Sequence, residues 1–173
     1  MLSMMMICDI INSIINTRRI FIVKYEICKL DINDFEKCAN IWKMDSDREL
    51  AQKFLKELKS GNRITYIYKT GGMFVGEVSL VFDEGDSDYT VKNQRIYVSR
   101  LVVKKTLRRN GIGRKLMEYA IELAKNMDYK EMSIGVDLDN FPALKLYADL
   151  GFDKIIFVGE DDHGKYVKLI KEL

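Results

Sequence analysis

A chain of 173 residues that is 47% hydrophobic and 31% charged has room for one domain with a sizeable core and is short for two. Its formal charge of +2 gives no reason to expect a nucleic-acid or membrane partner. Three cysteines (Cys8, Cys28 and Cys38) at unpatterned spacing indicate neither a disulfide framework nor a zinc site, which fits a reducing cytoplasm, and the lone His163 excludes a clustered-histidine metal centre.

The segment 1–17 reads as an N-terminal extension ahead of a domain over 18–173. Ile7, Ile10, Ile11, Ile14 and Ile15 form a helical stripe, but Arg18 and Arg19 follow the apolar run instead of preceding it, unlike a signal peptide. Asp9, Asn12 and Asn16 argue against a membrane-spanning helix. Ile20–Ile27 is rich in β-branched and aromatic residues and predicts a first strand. Asp31-Ile32-Asn33-Asp34 supplies caps for a helix through Phe35, Cys38, Ala39 and Trp42. A second helix follows Ser46-Asp47, carries Leu50, Phe54, Leu55 and Leu58 on one face, and stops at Gly61. Ile64–Lys69 and Met73–Phe82 predict a hairpin around Thr70-Gly71-Gly72, and the acidic loop Asp83–Asp88 comes next. Beyond it lie a strand Ile96–Val103, a helix from Gly111 to Met127, a strand Met132–Val136 and a short helix Phe141–Asp149. Phe152–Val158 and Tyr166–Ile170 form a terminal hairpin, with His163 in its turn. The expected fold is one mixed α/β sheet with helices on both faces.

Chemistry concentrates between the strand Ile96–Val103 and the helix that follows it, at Arg108-Arg109-Asn110-Gly111-Ile112-Gly113. A loop opening a helix leaves backbone N–H groups without carbonyl partners, and the helix dipole favours an anion there. Glycine lets a phosphate approach the main chain closely. Like charges at the positive end of a dipole each cost about 0.3–1 kcal/mol, so Arg108, Arg109, Arg114 and Lys115 at this spot favour a bound anion over a bare solvated helix start. The loop reads as a pyrophosphate cradle.

Two blocks together carry a resemblance. Arg108-Arg109-Asn110-Gly111-Ile112-Gly113 matches the loop signature Gln/Arg-x-x-Gly-x-Gly/Ala, and Asn140, Ala143, Leu146-Tyr147 and Gly151-Phe152 match a second signature, in the same order. From about Arg19 onward the chain resembles the GNAT superfamily, the Gcn5-related N-acetyltransferases. The resemblance implies a mostly antiparallel mixed sheet with one splayed parallel pair of strands, here Ile96–Val103 and Met132–Val136. It implies acetyl-CoA as cosubstrate, no metal, and transfer of acetyl to a primary amine by direct attack in a ternary complex. The pantetheine arm would lie along Leu101, Val102 and Val103, with the Val103 N–H aimed at the thioester carbonyl. The phosphates would sit on the amides from Arg109 to Arg114. Asn140 would touch the arm, although as an N-cap it has a structural role too; Ala143 would let the arm lie close, and Tyr147 would reach the sulfur. Family members often dimerise, so a homodimer stays open, though no residue in this sequence demands one.

The attacking amine is less defined. Some members of the family use a glutamate at the position filled here by Tyr97, so Glu77, Ser99 through a water, or no dedicated base all remain open. Trp42, Tyr66 and Tyr68 could line an acceptor pocket or simply pack the core, and Asp83–Asp88 could attract a cationic acceptor or simply be a solvated loop. Two rival readings stand. Gly111-Ile112-Gly113 after a strand and Asp137 ending the next could belong to a dinucleotide-binding unit, but Leu116 occupies the third glycine position. A non-catalytic acyl-CoA sensor would share the cradle without turning the ligand over.

Overall fold

The computed structural model describes residues 25–162 and 164–173. The extension 1–17, the first part of the strand expected over Ile20–Ile27, Cys8 and His163 lie outside the described residues. Among the described residues seven strands form one sheet in the order β1-β2-β3-β4-β5-β7-β6: β1 Tyr25–Lys29, β2 Arg63–Thr70, β3 Met73–Val81, β4 Arg95–Val103, β5 Glu131–Asp137, β6 Lys154–Asp161 and β7 Gly164–Glu172. Every neighbouring pair is antiparallel except β4 and β5. A dinucleotide-binding fold repeats parallel βαβ units. A single parallel pair is incompatible with that repeat, so the rival reading falls.

Among the described residues three α-helices cover the sheet: α1 Arg48–Ser60, α2 Ile112–Asn126 and α3 Phe141–Asp149. α2 presents Ile112, Leu116, Met117, Ala120, Ile121 and Ala124 to a core that also takes Val78, Leu80, Ile96, Val98, Met132, Ile134 and, from α3, Tyr147. On the opposite face a second cluster joins Phe54 of α1 to Phe35, Cys38, Ile41, Met44, Ile67 and Phe74. Cross-strand partners share a face, so alternate residues of β2, β3 and β4 divide between these cores.

The helix expected through Phe35 and Trp42 is instead a 3-10 helix, Ile32–Asn40, capped by the Asp31 side chain, which accepts from Asn33 N–H. Its apolar spacing accounts for the difference. Phe35, Cys38 and Ile41 are buried at intervals of three, and a helix of three residues per turn sets them on one line.

The feature that positions the site is a failure of pairing. β4 and β5 match at Arg95–Glu131, Ile96–Met132, Tyr97–Ser133 and Val98–Ile134, and then separate. Both strands continue, β4 to Val103 and β5 to Asp137. Meanwhile β4 stays paired with β3 as far as Gly76–Val103, across an irregularity between Ser79 and Leu80 where Ser99 is the extra residue on β4. The splay opens on one side of β4 only.

Candidate active site

The unpaired edge of β4 can be assigned residue by residue. Lys104 N–H donates to the Val75 carbonyl at 2.9 Å. Backbone groups of an antiparallel strand alternate in direction, so Val102 and Lys104 face β3 while Leu101 and Val103 direct theirs toward the splay. The Val103 carbonyl accepts from Arg108 Nε at 3.2 Å, which leaves the N–H of Val103 as the open group at this residue. The side chains of Leu101 and Val103 pack against the α2 core, and that of Val102 against the other cluster.

At the end of β4 the chain passes through a short 3-10 turn, Lys105–Leu107, and enters the loop. Arg109 sits at φ +64 and Gly111 at φ +74. The left-handed region costs a non-glycine residue about 1–2 kcal/mol, and left-handed residues alternating with ordinary ones gather successive N–H groups into an anion-binding concavity. The first turn of α2 closes with Lys115 N–H on the Gly111 carbonyl, 3.1 Å. Among the described residues, the N–H groups of Arg109, Asn110, Gly111, Ile112, Gly113 and Arg114 donate to no protein acceptor. A Cβ built on Gly111 would meet nothing within 4 Å, so the space over the loop is open. At Gly113 a Cβ would make ordinary van der Waals contact with Leu146, Val103 and Leu101 at 3.7–3.9 Å, so close packing does not demand glycine there. Asn110 supports the turn from outside, its Nδ2 donating to the Leu107 carbonyl at 3.1 Å.

The cations divide. Arg114 is bound to Asp149 at 2.9 Å, and Lys115 lies 4.0 Å over the Tyr25 ring. The side chains of Arg108 and Arg109 are therefore the ones left beside the cradle, while Arg114 contributes its backbone N–H.

On α3, Asn140 caps the helix by accepting from Ala143 N–H at 3.3 Å, with Pro142 in the first turn. Ala143 is half-buried and one turn from Tyr147, on the same face. The Tyr147 ring is buried, edge-on to Phe152 at 5.9 Å, and its hydroxyl donates to no residue among those described. Burial pushes this phenol up to about 12, so it stays protonated. A thiolate has a conjugate pKa near 8.5, and full proton transfer to it from such a phenol is uphill by roughly 5 kcal/mol. A hydrogen bond to developing thiolate charge is the chemistry open to Tyr147.

The candidate bases are all engaged. Tyr97 is a half-buried residue whose ring meets that of Tyr89 at 4.2 Å, and desolvation pushes its hydroxyl far above the usual range. Glu77, 3% exposed, is paired with Arg100 and lies beside the Cys38 thiol. Ser99 Oγ accepts from Arg63 Nη1 at 2.7 Å, and Arg63 in turn binds Glu57 at 2.7 Å. Sequence reasoning named Glu77 but missed its partner Arg100 and the Arg63–Glu57 pair; the signal was a charged residue within each of the apolar strands β3 and β4 and another at the start of β2.

Trp42, Tyr66 and Tyr68 do not form one pocket. Tyr66 meets Tyr119 of α2 with its ring tilted, centroids 4.8 Å apart, and Tyr68 belongs to the α2 core, whereas Trp42 lies on the other face with Arg100 4.3 Å over its ring. The acidic loop is partly exposed to solvent, and its carboxylates are tied into the fold. Lys168, whose side chain is 7% exposed, binds Asp86 at 2.7 Å and Asp88 at 3.0 Å. Lys53 binds Glu84, and Arg95 Nη1 donates to the carbonyls of Ser87 and Asp88. Tyr89 then folds over Gly135, where a Cβ would lie 2.5 Å from the Tyr89 hydroxyl.

Comparison with known proteins bears on the family and the fold. A stretch of 59 residues, 34% of this chain, is 42% identical to "GCN5-related N-acetyltransferase 4, chloroplastic" of Arabidopsis thaliana and spans 20% of that protein's length. Among solved structures, an IAA acetyltransferase from Bacillus cereus superposes with a TM-score of 0.68 at 21% identity, covering 87% of this chain and 100% of the other. A GNAT family acetyltransferase from Elizabethkingia anophelis, solved with acetyl-CoA bound, gives 0.66 at 19% identity over 86% and 98%. These two establish likeness of fold. The profile of the Acetyltransferase (GNAT) family matches residues 25–152, which takes in the splayed strands, the loop and α3. On that match, and with the same sheet now described, the chain belongs to the GNAT acetyltransferase family.

Proposed function

We propose that this chain is an N-acetyltransferase that moves the acetyl group of acetyl-CoA to a primary amine by direct attack within a ternary complex. The observation that carries the reading is the run of six backbone N–H groups, Arg109 to Arg114, that have no protein acceptor among the described residues at the head of α2. Such a run suits a diphosphate, which supplies several acceptor oxygens and a negative charge at the positive end of a helix. Arg108 and Arg109 add neutralising charge. The open edge of β4 at Leu101 and Val103 suits an amide-bearing arm, which pairs with main-chain groups as a strand would. At its inner end the Val103 N–H would donate to the thioester carbonyl and stabilise negative charge as the tetrahedral intermediate forms. Tyr147 would hydrogen-bond the departing sulfur.

An alkyl ammonium, pKa near 10.4, must lose its proton before it attacks. With Tyr97, Glu77 and Ser99 all engaged, the amine would deprotonate to water without a dedicated side chain among these three. That observation also favours the second reading, an acyl-CoA-binding sensor without turnover. The two separate in one experiment: incubation with acetyl-CoA and a panel of small-molecule and peptide amines, following release of free thiol. Amine-dependent thiol release supports the transferase. Tight acetyl-CoA binding with no release across the panel supports the sensor.

A further inference from the structure

Core side chains of α2 and α3 close one side of the splay, with Leu101, Val103 and Tyr147 among them, so an attacking amine comes from the opposite face. Alternation puts Arg100, Val102 and Lys104 on that face of β4, and Ser133, Gly135 and Asp137 on that face of β5. Three strands bring charge to one level there. Glu77 on β3 pairs with Val102 on β4. Counting on from the last β4–β5 pair, Val98 and Ile134, with Ser99 set aside as the extra residue, Asp137 on β5 also comes level with Val102.

Arg100 holds the β4 side. Its Nε donates to Glu77, which brings the guanidinium to the level of Val102, one residue short of Val103. The group lies 4.3 Å over the Trp42 ring and 5.3 Å from the centre of the Phe54 ring, and the side chain keeps 16% exposure. A guanidinium has donors on Nε, Nη1 and Nη2, and only Nε has an acceptor among the described residues. The edge left over, Nη1 with Nη2, is the fork that takes both oxygens of a carboxylate. Lys104 adds positive charge on the same side, since it donates to the Asn40 amide oxygen at 2.7 Å and has no carboxylate partner among the described residues. Across the splay, Asp137 is exposed, and its side chain makes no hydrogen bond or ion pair among the described residues. The other charges on this face are engaged with one another, Arg63 with Glu57 and Lys168 with Asp86 and Asp88. A pinned cation with an unfilled fork thus faces a free carboxylate over the gap.

We propose that the acceptor is an amine that carries a carboxylate, as a free amino acid does, with Arg100 holding the carboxylate and Asp137 drawing the ammonium. The inference rests on the acetyl-transfer reading and names its acceptor. The amine nitrogen bonds to the acetyl carbon as the C–S bond breaks. Of the two protons the ammonium gives up, one goes to water and one to the departing sulfur, leaving an N-acetylamino acid and the CoA thiol.

Two readouts on the full chain keep this separate from the transferase reading: calorimetry on CoA-saturated protein, and thiol release from acetyl-CoA. The probes are the common free amino acids, the carboxamide of each one that binds, and spermidine. At least one amino acid should bind with a Kd below about 1 mM, the upper end of ordinary KM values. Its carboxamide and spermidine should bind at least about tenfold more weakly, because the charge-assisted fork is lost. Arg100→Lys can keep the Glu77 pair but offers no fork, so it should weaken the amino acid at least about tenfold and acetyl-CoA no more than about twofold. Asp137→Asn, on an exposed side chain, should weaken the amino acid about threefold. Should Arg100→Lys lose acetyl-CoA as well, Asp137→Asn and the acid–carboxamide comparison decide. An amino-acid panel that is neither bound nor acetylated, a carboxamide or spermidine bound as well as the acid, or an Arg100→Lys chain with undiminished amino-acid affinity would each overturn the proposal. The expected binding without thiol release would uphold this site and refute the transferase; thiol release confined to spermidine would do the reverse.

Discussion

Two loops of this protein look alike in sequence, each short, glycine-containing and dense in one sign of charge. In the acidic loop Asp83–Asp88, every carboxylate has a partner: Asp83 accepts from Gly85 N–H, Glu84 binds Lys53, and Asp86 and Asp88 share Lys168. In the basic loop Arg108–Arg114 six main-chain amides have no protein acceptor among the described residues, and the end of the strand before them is unpaired on its β5 side. The comparison teaches that charge density alone does not mark a site. Main-chain N–H groups that converge on open space with no protein acceptor among the described residues set the basic loop apart.

The contrast can be broken most severely at Gly111. Gly111→Glu places a carboxylate in the open space over the amides and forces a side chain into the left-handed region; acetyl-CoA affinity by calorimetry should fall at least about a hundredfold. Gly111→Asn tolerates that backbone and adds no charge, so a loss of about tenfold or less is expected. Equal losses would assign the effect to backbone strain. Next in size, Tyr147→Phe should lower kcat by about ten- to a hundredfold with acetyl-CoA affinity unchanged, as expected for an interaction strengthened in the transition state. A parallel fall in affinity would make Tyr147 a packing residue.

The acidic loop should respond in stability alone. Lys168→Met leaves two half-exposed carboxylates facing an apolar group and should cost about 1–2 kcal/mol in urea unfolding, with acetyl-CoA affinity within about threefold of wild type. Its pH dependence has a fixed sign. Lys168 and the Asp88 N–H hold the Asp86 carboxyl below its ordinary value, so this pairing stabilises the fold above the unfolded carboxylate pKa of about 3.9 and is lost as pH falls through the lower folded value. The gap between wild type and Lys168→Met should therefore narrow in acid. A gap independent of pH down to 2 would contradict the ion pair.

Local signals made much of this fold readable from the sequence. α3 has the bounds that Asn140, Pro142 and Gly151 dictate, and the β2–β3 hairpin turns where Gly71-Gly72 says it should. The terminal hairpin was legible too, though β6 starts two residues later because Phe152 leaves the strand to pack against Tyr147. What escaped depends on partners far away in the chain. Glu77 meets Arg100 across two strands, Lys168 meets Asp86 from the opposite end of the domain, and Arg63 meets Ser99 at a bulge that no local pattern announces. The strand–glycine–helix link was readable because it is itself local. The commitment of Arg114 to Asp149 was not.

The most direct test follows the backbone amides themselves by NMR as acetyl-CoA is added to 15N-labelled protein. The account predicts that the amide resonances of Gly111, Ile112, Gly113 and Arg114 move downfield together, as N–H groups do on donating to phosphate oxygens, while those of Asp86 and Asp88 stay in place. Saturable binding that leaves the Gly111 and Gly113 amides unmoved would contradict it.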